Sequence, residues 1–170
     1  AGEMPPSYEY QIIHKSGEVR WMNQRNVLIS DKDGKPIAIE GIVTDVTESK
    51  RVEEALQNSE RSYRTLVENL PQKIFYKDLN STYISCNGAY AEYLGIPAGK
   101  VAGKNDYDFF PNKAAEKYRR DDRRVMDSGK GEDIIEKNEL EGMDGWVQTV
   151  KVPVRDENGN VTGILVIIWD

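Results

Sequence analysis

The chain has 170 residues, 31% of them charged, and a formal net charge of −6. That length buries one ordinary core, and the acidic balance argues against nucleic acid or an anionic membrane as a main partner. No apolar run reaches the roughly 18 residues a spanning helix needs, and Cys86 is the single cysteine, which rules out a disulfide framework and a cysteine zinc cluster.

Residues 8 to 45 read as three short strands. Tyr8, Tyr10 and Ile12 alternate with polar residues, Ser16-Gly17 signals a turn, and Val19, Trp21 and Asn23 share one face of the next segment. Asp31-Lys32-Asp33-Gly34-Lys35 is a second turn, followed by a third strand through Ile37, Ile39 and residues 41 to 46. Residues 47 to 70 are rich in Glu, Arg and Lys and lack Gly and Pro, which predicts a helix. Asp45 or Thr47 can cap it, and Asp45 with Glu48 approximates a capping box. Val52, Leu56, Ser59, Tyr63, Leu66 and Leu70 alternate in spacing between four and three. That seam fits either an amphipathic helix on its own domain or a parallel helix pair between two chains.

Beyond Pro71, a hairpin is expected from Ile74-Phe75-Tyr76 and Tyr83-Ile84-Ser85-Cys86. Asn87 can cap a helix closed by Gly95, and residues 97 to 101 can add a helical turn. Asn105 to Phe110 is a connector, and Asn112 to Ser128 a charged helix closed by Gly129. Three strands follow from Glu132 to Asp170. These last strands repeat the first three. Shifted by 125 positions, Gly17, Trp21, Val27, Asp31, Gly34, Ile39, Ile42 and Asp45 fall on Gly142, Trp146, Val152, Asp156, Gly159, Ile164, Ile167 and Asp170. Eight identities in 29 positions compare with about two expected by chance. Nothing like residues 71 to 130 precedes the first copy, so the expected organisation is 1–46, the C-terminal strands of a truncated repeat; 47–70, an amphipathic linker helix; and 71–170, a complete module.

The order of elements, with these turns, resembles a PAS domain. Asn87 to Gly95 resembles the family's Asn-x-Ala-aromatic helix ending in Gly, and Lys100-Val101-Ala102-Gly103-Lys104-Asn105 resembles the turn after it. Residues 41 to 47 resemble its terminal Asp-[Ile/Val]-Thr signature, and residues 51 to 69 the linker helix of tandem sensor proteins. The resemblance implies an α+β fold, a five-stranded antiparallel sheet wrapped by helices. It also implies a sensory or dimerisation module upstream of an output domain such as a histidine kinase or cyclase on the same polypeptide. The lone cysteine points to a cytoplasmic setting, and the helix seam with the uncovered apolar face of the first three strands points to a homodimer. No membrane contact is expected within this segment.

PAS domains hold flavin, haem, small metabolites or nothing, so the cofactor stays unknown. Flavin photosensors place a Cys where Asp106 stands, and haem relatives use an axial His on the helix matching residues 112 to 128; neither residue is present here. Met126 is expected in the core, His14 at a strand end and Cys86 as a small hydrophobe. The candidate ligand-binding set is Tyr76, Cys86, Tyr90, Asn105, Tyr118, Asp122 and Gln148. Asp122 interrupts the helical stripe of Ala115, Tyr118, Val125 and Met126. Either the helix rolls, or Arg119 or Arg123 covers it at the surface, or it faces a ligand cavity with Tyr118. In the last case Asp122→Asn is expected to leave the melting temperature within a few degrees. Trp21, Asp45, Thr47, Trp146 and Asp170 are candidates for the junction that relays a signal from sheet to helix. Catalysis is not expected: there is no Ser-His pair and no phosphate loop, and Asp106 and Asp108 are expected to satisfy loop amides.

Overall fold

The computed structural model describes residues 7–138 and 145–169. The chain divides into two compact units, Ala1–Ser62 and Tyr63–Asp170.

In the first unit, β1 (Ser7–Ile13), β2 (Val19–Ser30) and β3 (Pro36–Asp45) form an antiparallel meander in that order. Both expected turns are present. Gly34 takes the positive φ of 80° that closes the second, while Asp31 Oδ1 accepts from the amides of Asp33 and Lys35 at 3.0 and 2.9 Å. The helix α1 runs Thr47–Glu68. Its first turns are tied to the meander by ion pairs of Lys50 with Glu9 (2.6 Å) and Arg51 with Glu18 (2.8 Å). The approximate capping box is corrected: Asp45 Oδ1 accepts from the Thr47 amide and hydroxyl at 3.0 and 2.6 Å, and no reciprocal Glu48 bond forms among the described residues. Asp45 lies two residues before Thr47, so it makes an Asx-type turn at the helix entry.

In the second unit, β4 (Lys73–Asp78) and β5 (Tyr83–Cys86) form the hairpin. The helices α2 (Gly88–Leu94) and α3 (Asn112–Ser128) follow, then β6 (Glu132–Lys137), β7 (Trp146–Arg155) and β8 (Val161–Trp169). The five strands make one antiparallel sheet in the order β5-β4-β8-β7-β6, the architecture that the resemblance implies. Asn87 caps α2 by accepting from the Tyr90 amide at 3.1 Å, and Gly95 ends it at φ 70°. Two 3-10 turns, Ala98–Lys100 and Asp106–Asp108, link α2 to α3. Phe75, Tyr83, Tyr90, Val101, Val125, Met126, Ile164 and Val166 form the core between sheet and helices. Gly163 has no room for a side chain, since a Cβ there would overlap the Lys77 carbonyl oxygen and the Tyr76 ring.

The repeat is a repeat of pairing as well as of residues. Gln24 pairs with Val43 across β2 and β3; 125 positions on, Thr149 pairs with Ile168 across β7 and β8.

Candidate functional site

The pleat of the sheet chooses which side chains face α3. Successive residues of a strand point to opposite faces. Phe75 and Lys77 of β4, Val147, Thr149 and Lys151 of β7, and Val166 and Ile168 of β8 therefore turn inward together. α3 lies over them and contributes Tyr118 and Asp122, four residues apart on one helix face. Together these residues line a cavity of about 40 Å³, walled by the rings of Phe75, Tyr83, Tyr90, Tyr93, Phe110 and Tyr118.

Four buried charges run along one side of this cavity. Lys77 Nζ donates to both oxygens of Asp106 at 2.6 and 2.8 Å and to Asp122 Oδ2 at 2.9 Å. Lys151 Nζ donates to Asp122 Oδ1 at 2.6 Å. The Tyr83 hydroxyl donates to Asp106 Oδ1 at 2.9 Å, which leaves the Tyr90 hydroxyl, 2.7 Å away, as donor to Tyr83. Removing such ions from water is costly, and only mutual pairing offsets it. Here two ammonium groups meet two carboxylates. Burial alone would raise the Asp122 pKa, yet Lys77 and Lys151 hold it below the ordinary carboxylate value. Burial pushes the Tyr83 and Tyr90 hydroxyls well above the usual phenol range, and neighbouring Asp106 adds to this. Both phenols are therefore neutral hydrogen-bonding groups at neutral pH.

One polar atom on the cavity wall is left over. Thr149 is 1% exposed, and its Oγ1 has no hydrogen-bond partner among the described residues. Buried hydroxyls are ordinarily paired, so this exception marks a position where a partner is called for.

Of the seven sequence candidates, the fold brings Tyr90, Tyr118 and Asp122 to this cavity. The other four lie elsewhere. Tyr76 points to the opposite face of β4 from Lys77 and, with Cys86, lines a separate groove beside Arg64, Val67 and Leu165. Burial and the nearby Glu68 raise the Cys86 thiol. Asn105 caps the second 3-10 turn, accepting from the Tyr107 amide at 3.0 Å. Gln148 is on the outer face of β7, where its amide bonds Asp133.

Two expectations about acids are corrected. Asp108 does satisfy a loop amide, that of Asn105 at 2.8 Å, but Asp106 is 1% exposed and pairs with Lys77. Asp122 is covered by neither Arg119 nor Arg123; Arg119 instead donates to the carbonyls of Asn80 and Ser81. Sequence reasoning missed Lys77 and Lys151. Each shares strand parity with an inward apolar residue, Phe75 or Val147, and that was the available signal. Met126 sits in the core, and half-buried His14 bonds Ser16 at 2.9 Å.

At the sheet-to-helix junction, Trp21, Asp45 and Thr47 are joined. The Trp21 amide donates to Thr47 Oγ1 at 2.9 Å, and the Thr47 hydroxyl donates in turn to Asp45 Oδ1. These bonds from Thr47 lower the Asp45 pKa. Trp146, the equivalent of Trp21, is 70% exposed at the start of β7, and Asp170 lies outside the described residues. A tie not expected from sequence sits at the other end of α1. Asn87 Nδ2 donates to the carbonyls of Val67 (3.1 Å) and Gln72 (2.8 Å), and Glu68 Oε2 accepts from the Gly88 amide at 2.8 Å.

Among the described residues, no His, Cys, Asp and Glu side chains cluster so as to hold a metal ion, and no helix is long and apolar enough to cross a membrane.

Comparison with known proteins bears on this arrangement. A family model described as PAS fold matches residues 67–170, and a second, also described as PAS fold, matches residues 1–43. The chain is 33% identical over 115 residues to the methanogenesis regulatory histidine kinase FilI of Methanothrix harundinacea; the match covers 68% of this chain and 13% of that kinase. Among solved structures, VqmA bound to DPO is 27% identical with a TM-score of 0.59, over 64% of this chain and 56% of that one. The PAS domain of an HTR-like protein from Haloarcula marismortui is 21% identical with a TM-score of 0.58, over 71% of this chain and 98% of that domain.

Proposed function

The chain belongs to the PAS family, and on that premise we propose that it is a sensory module whose second unit binds a small molecule and whose signal passes to an output domain outside this chain. The observation that carries the reading is the buried Thr149 hydroxyl, without a hydrogen-bond partner among the described residues, on the wall of a cavity that also presents Lys151. The similarity to VqmA, a protein solved with DPO bound, supports a ligand in this fold, and that to the kinase FilI supports a kinase-type output. Asp106, at the position of a flavin-adduct cysteine, has both oxygens engaged by Lys77, which favours a non-covalent ligand. The junction of Trp21, Asp45 and Thr47 is the proposed relay from strand to linker helix.

Native mass spectrometry of the purified 170-residue chain tests this. A retained mass that is lost on denaturation supports it. A bare mass, with no thermal stabilisation by a metabolite extract, counts against it.

A separate observation favours a dimer. Val52, Leu56, Tyr63 and Leu66, the seam of α1, are each more than half exposed. A second copy of α1 laid along this seam would cover them, so the chain is proposed to pair through its linker helix.

A further inference from the structure

The hydrogen-bonding capacity around the cavity is lopsided. Lys77 Nζ has three bonds, matching its three N–H groups. All four oxygens of Asp106 and Asp122 accept from a lysine. Lys151 Nζ, by contrast, makes one hydrogen bond among the described residues, to Asp122, although its side chain is 4% exposed. It also lies 5.9 Å from the centre of the Tyr118 ring, and two of its N–H groups have no hydrogen-bond acceptor among the described residues. Thr149, two residues earlier on the same face of β7, adds an unengaged hydroxyl. What the wall offers is therefore donors, side by side on one strand.

The first copy of the repeat serves as an internal comparison. Gln24 and Asn26 occupy the positions of Thr149 and Lys151. There the side chains satisfy one another: the Tyr10 hydroxyl donates to Gln24 Oε1 at 3.1 Å, and Gln24 Nε2 to Asn26 Oδ1 at 3.0 Å. The unengaged donors belong to the second copy.

Charge and size narrow the partner. Lys77 and Lys151 offset two of the three carboxylates that line the cavity, Asp106, Asp122 and Glu136, so the wall keeps a net negative charge that opposes an added anion. A cation finds no unengaged oxygen on either aspartate, and Glu136 already pairs with Lys117. A volume of about 40 Å³ corresponds to about three water-sized spheres. We infer that the cavity takes a small neutral molecule of a few heavy atoms that presents a carbonyl-type oxygen to Lys151 Nζ and Thr149 Oγ1. This rests on the reading of the cavity as a ligand site.

The test titrates the full chain with acetamide, acetate and methylammonium, three probes of similar size and different charge, followed by backbone amide NMR. Acetamide is expected to give saturable shifts at Thr149, Lys151 and Asp122, with none there from the other two. Thr149→Val should weaken acetamide about fivefold, the ratio for one hydrogen bond, and Thr149→Ser should restore it. Saturable binding of acetate or methylammonium at these residues would overturn the neutral-acceptor inference while leaving the ligand site standing. Unchanged acetamide binding in Thr149→Val, or no shift with any probe, would also overturn it. A mass retained in native spectrometry would still uphold the ligand site in those cases.

Discussion

Lys77 Nζ lies 2.9 Å from Asp122 Oδ2, and this bond joins the second residue from the end of β4 to the middle of α3. The two positions are 45 residues apart in sequence, and both side chains are almost fully buried. Asp122 also holds Lys151, so one carboxylate ties two strands to the helix above them.

Removing that carboxylate's charge leaves two buried ammonium groups to share Asp106. Breaking a buried pair from one side typically costs about 3–5 kcal/mol. Asp122→Asn is therefore expected to lower unfolding free energy by that amount in urea titration. The near-neutral substitution expected from sequence is corrected, because Asp122 is the shared partner of two buried lysines. A change below about 1 kcal/mol would contradict the pairing.

Acid should weaken the fold through the same residue. The Asp122 pKa is below its ordinary 3.8 in the folded chain. Between the folded and unfolded values the unfolded chain binds more protons, so stability rises with pH there. This contribution is fully present above about pH 4 and is lost as pH falls through the folded value. The carboxyl carbon-13 shift of Asp122 should titrate with a midpoint under 3.8. A midpoint at or above it contradicts this account.

Thr149→Val should stabilise the ligand-free chain. Valine has nearly the shape of threonine and suits a strand. It removes a buried hydroxyl with no partner among the described residues, a burden of about 1 kcal/mol. Urea midpoints of the two proteins, freed of ligand by refolding, provide the comparison; a less stable valine variant would show that the hydroxyl has a partner after all.

Asp45→Ala removes the acceptor that holds Thr47 at the start of α1, with a small loss of stability. In the longer signalling protein the output should change by more than that loss of stability explains. Unaltered output at normal expression would remove Asp45 from the relay.

Leu56→Glu places a charge on the exposed seam of α1, where a folded monomer loses little. If two chains pair along it, light scattering should show the wild type as a dimer and the variant as a monomer. Equal masses for the two reject the helix pairing.

The strands and helices were legible because their signals are local. Gly34 and Gly95 stand where a turn and a helix end need positive φ, and Asn87 stands where α2 needs a cap. Asp122 was legible as an anomaly in an apolar stripe. Its partners were not, because Lys77 and Lys151 lie 45 and 29 residues away and only the strand order β4-β8-β7 brings them together. Tyr76 and Gln148 are sequence candidates that lie away from the cavity for a related reason. A polar or aromatic residue in a strand reads the same on either side until the strand's inward parity is known. For β4 that parity follows from Phe75 and for β7 from Val147.

The shared register of the two copies means that β2 and β7 are interchangeable rails carrying different cargo. The main-chain ladder at Gln24–Val43 and at Thr149–Ile168 is the same ladder, so what stands on its inner face can be exchanged without disturbing how the strands pair. Two positions on one strand, a single pleat apart, thus separate a copy in which Gln24 and Asn26 bond each other from one that has donors left to offer. A module built this way can acquire a new molecular preference by small steps while its scaffold stands still.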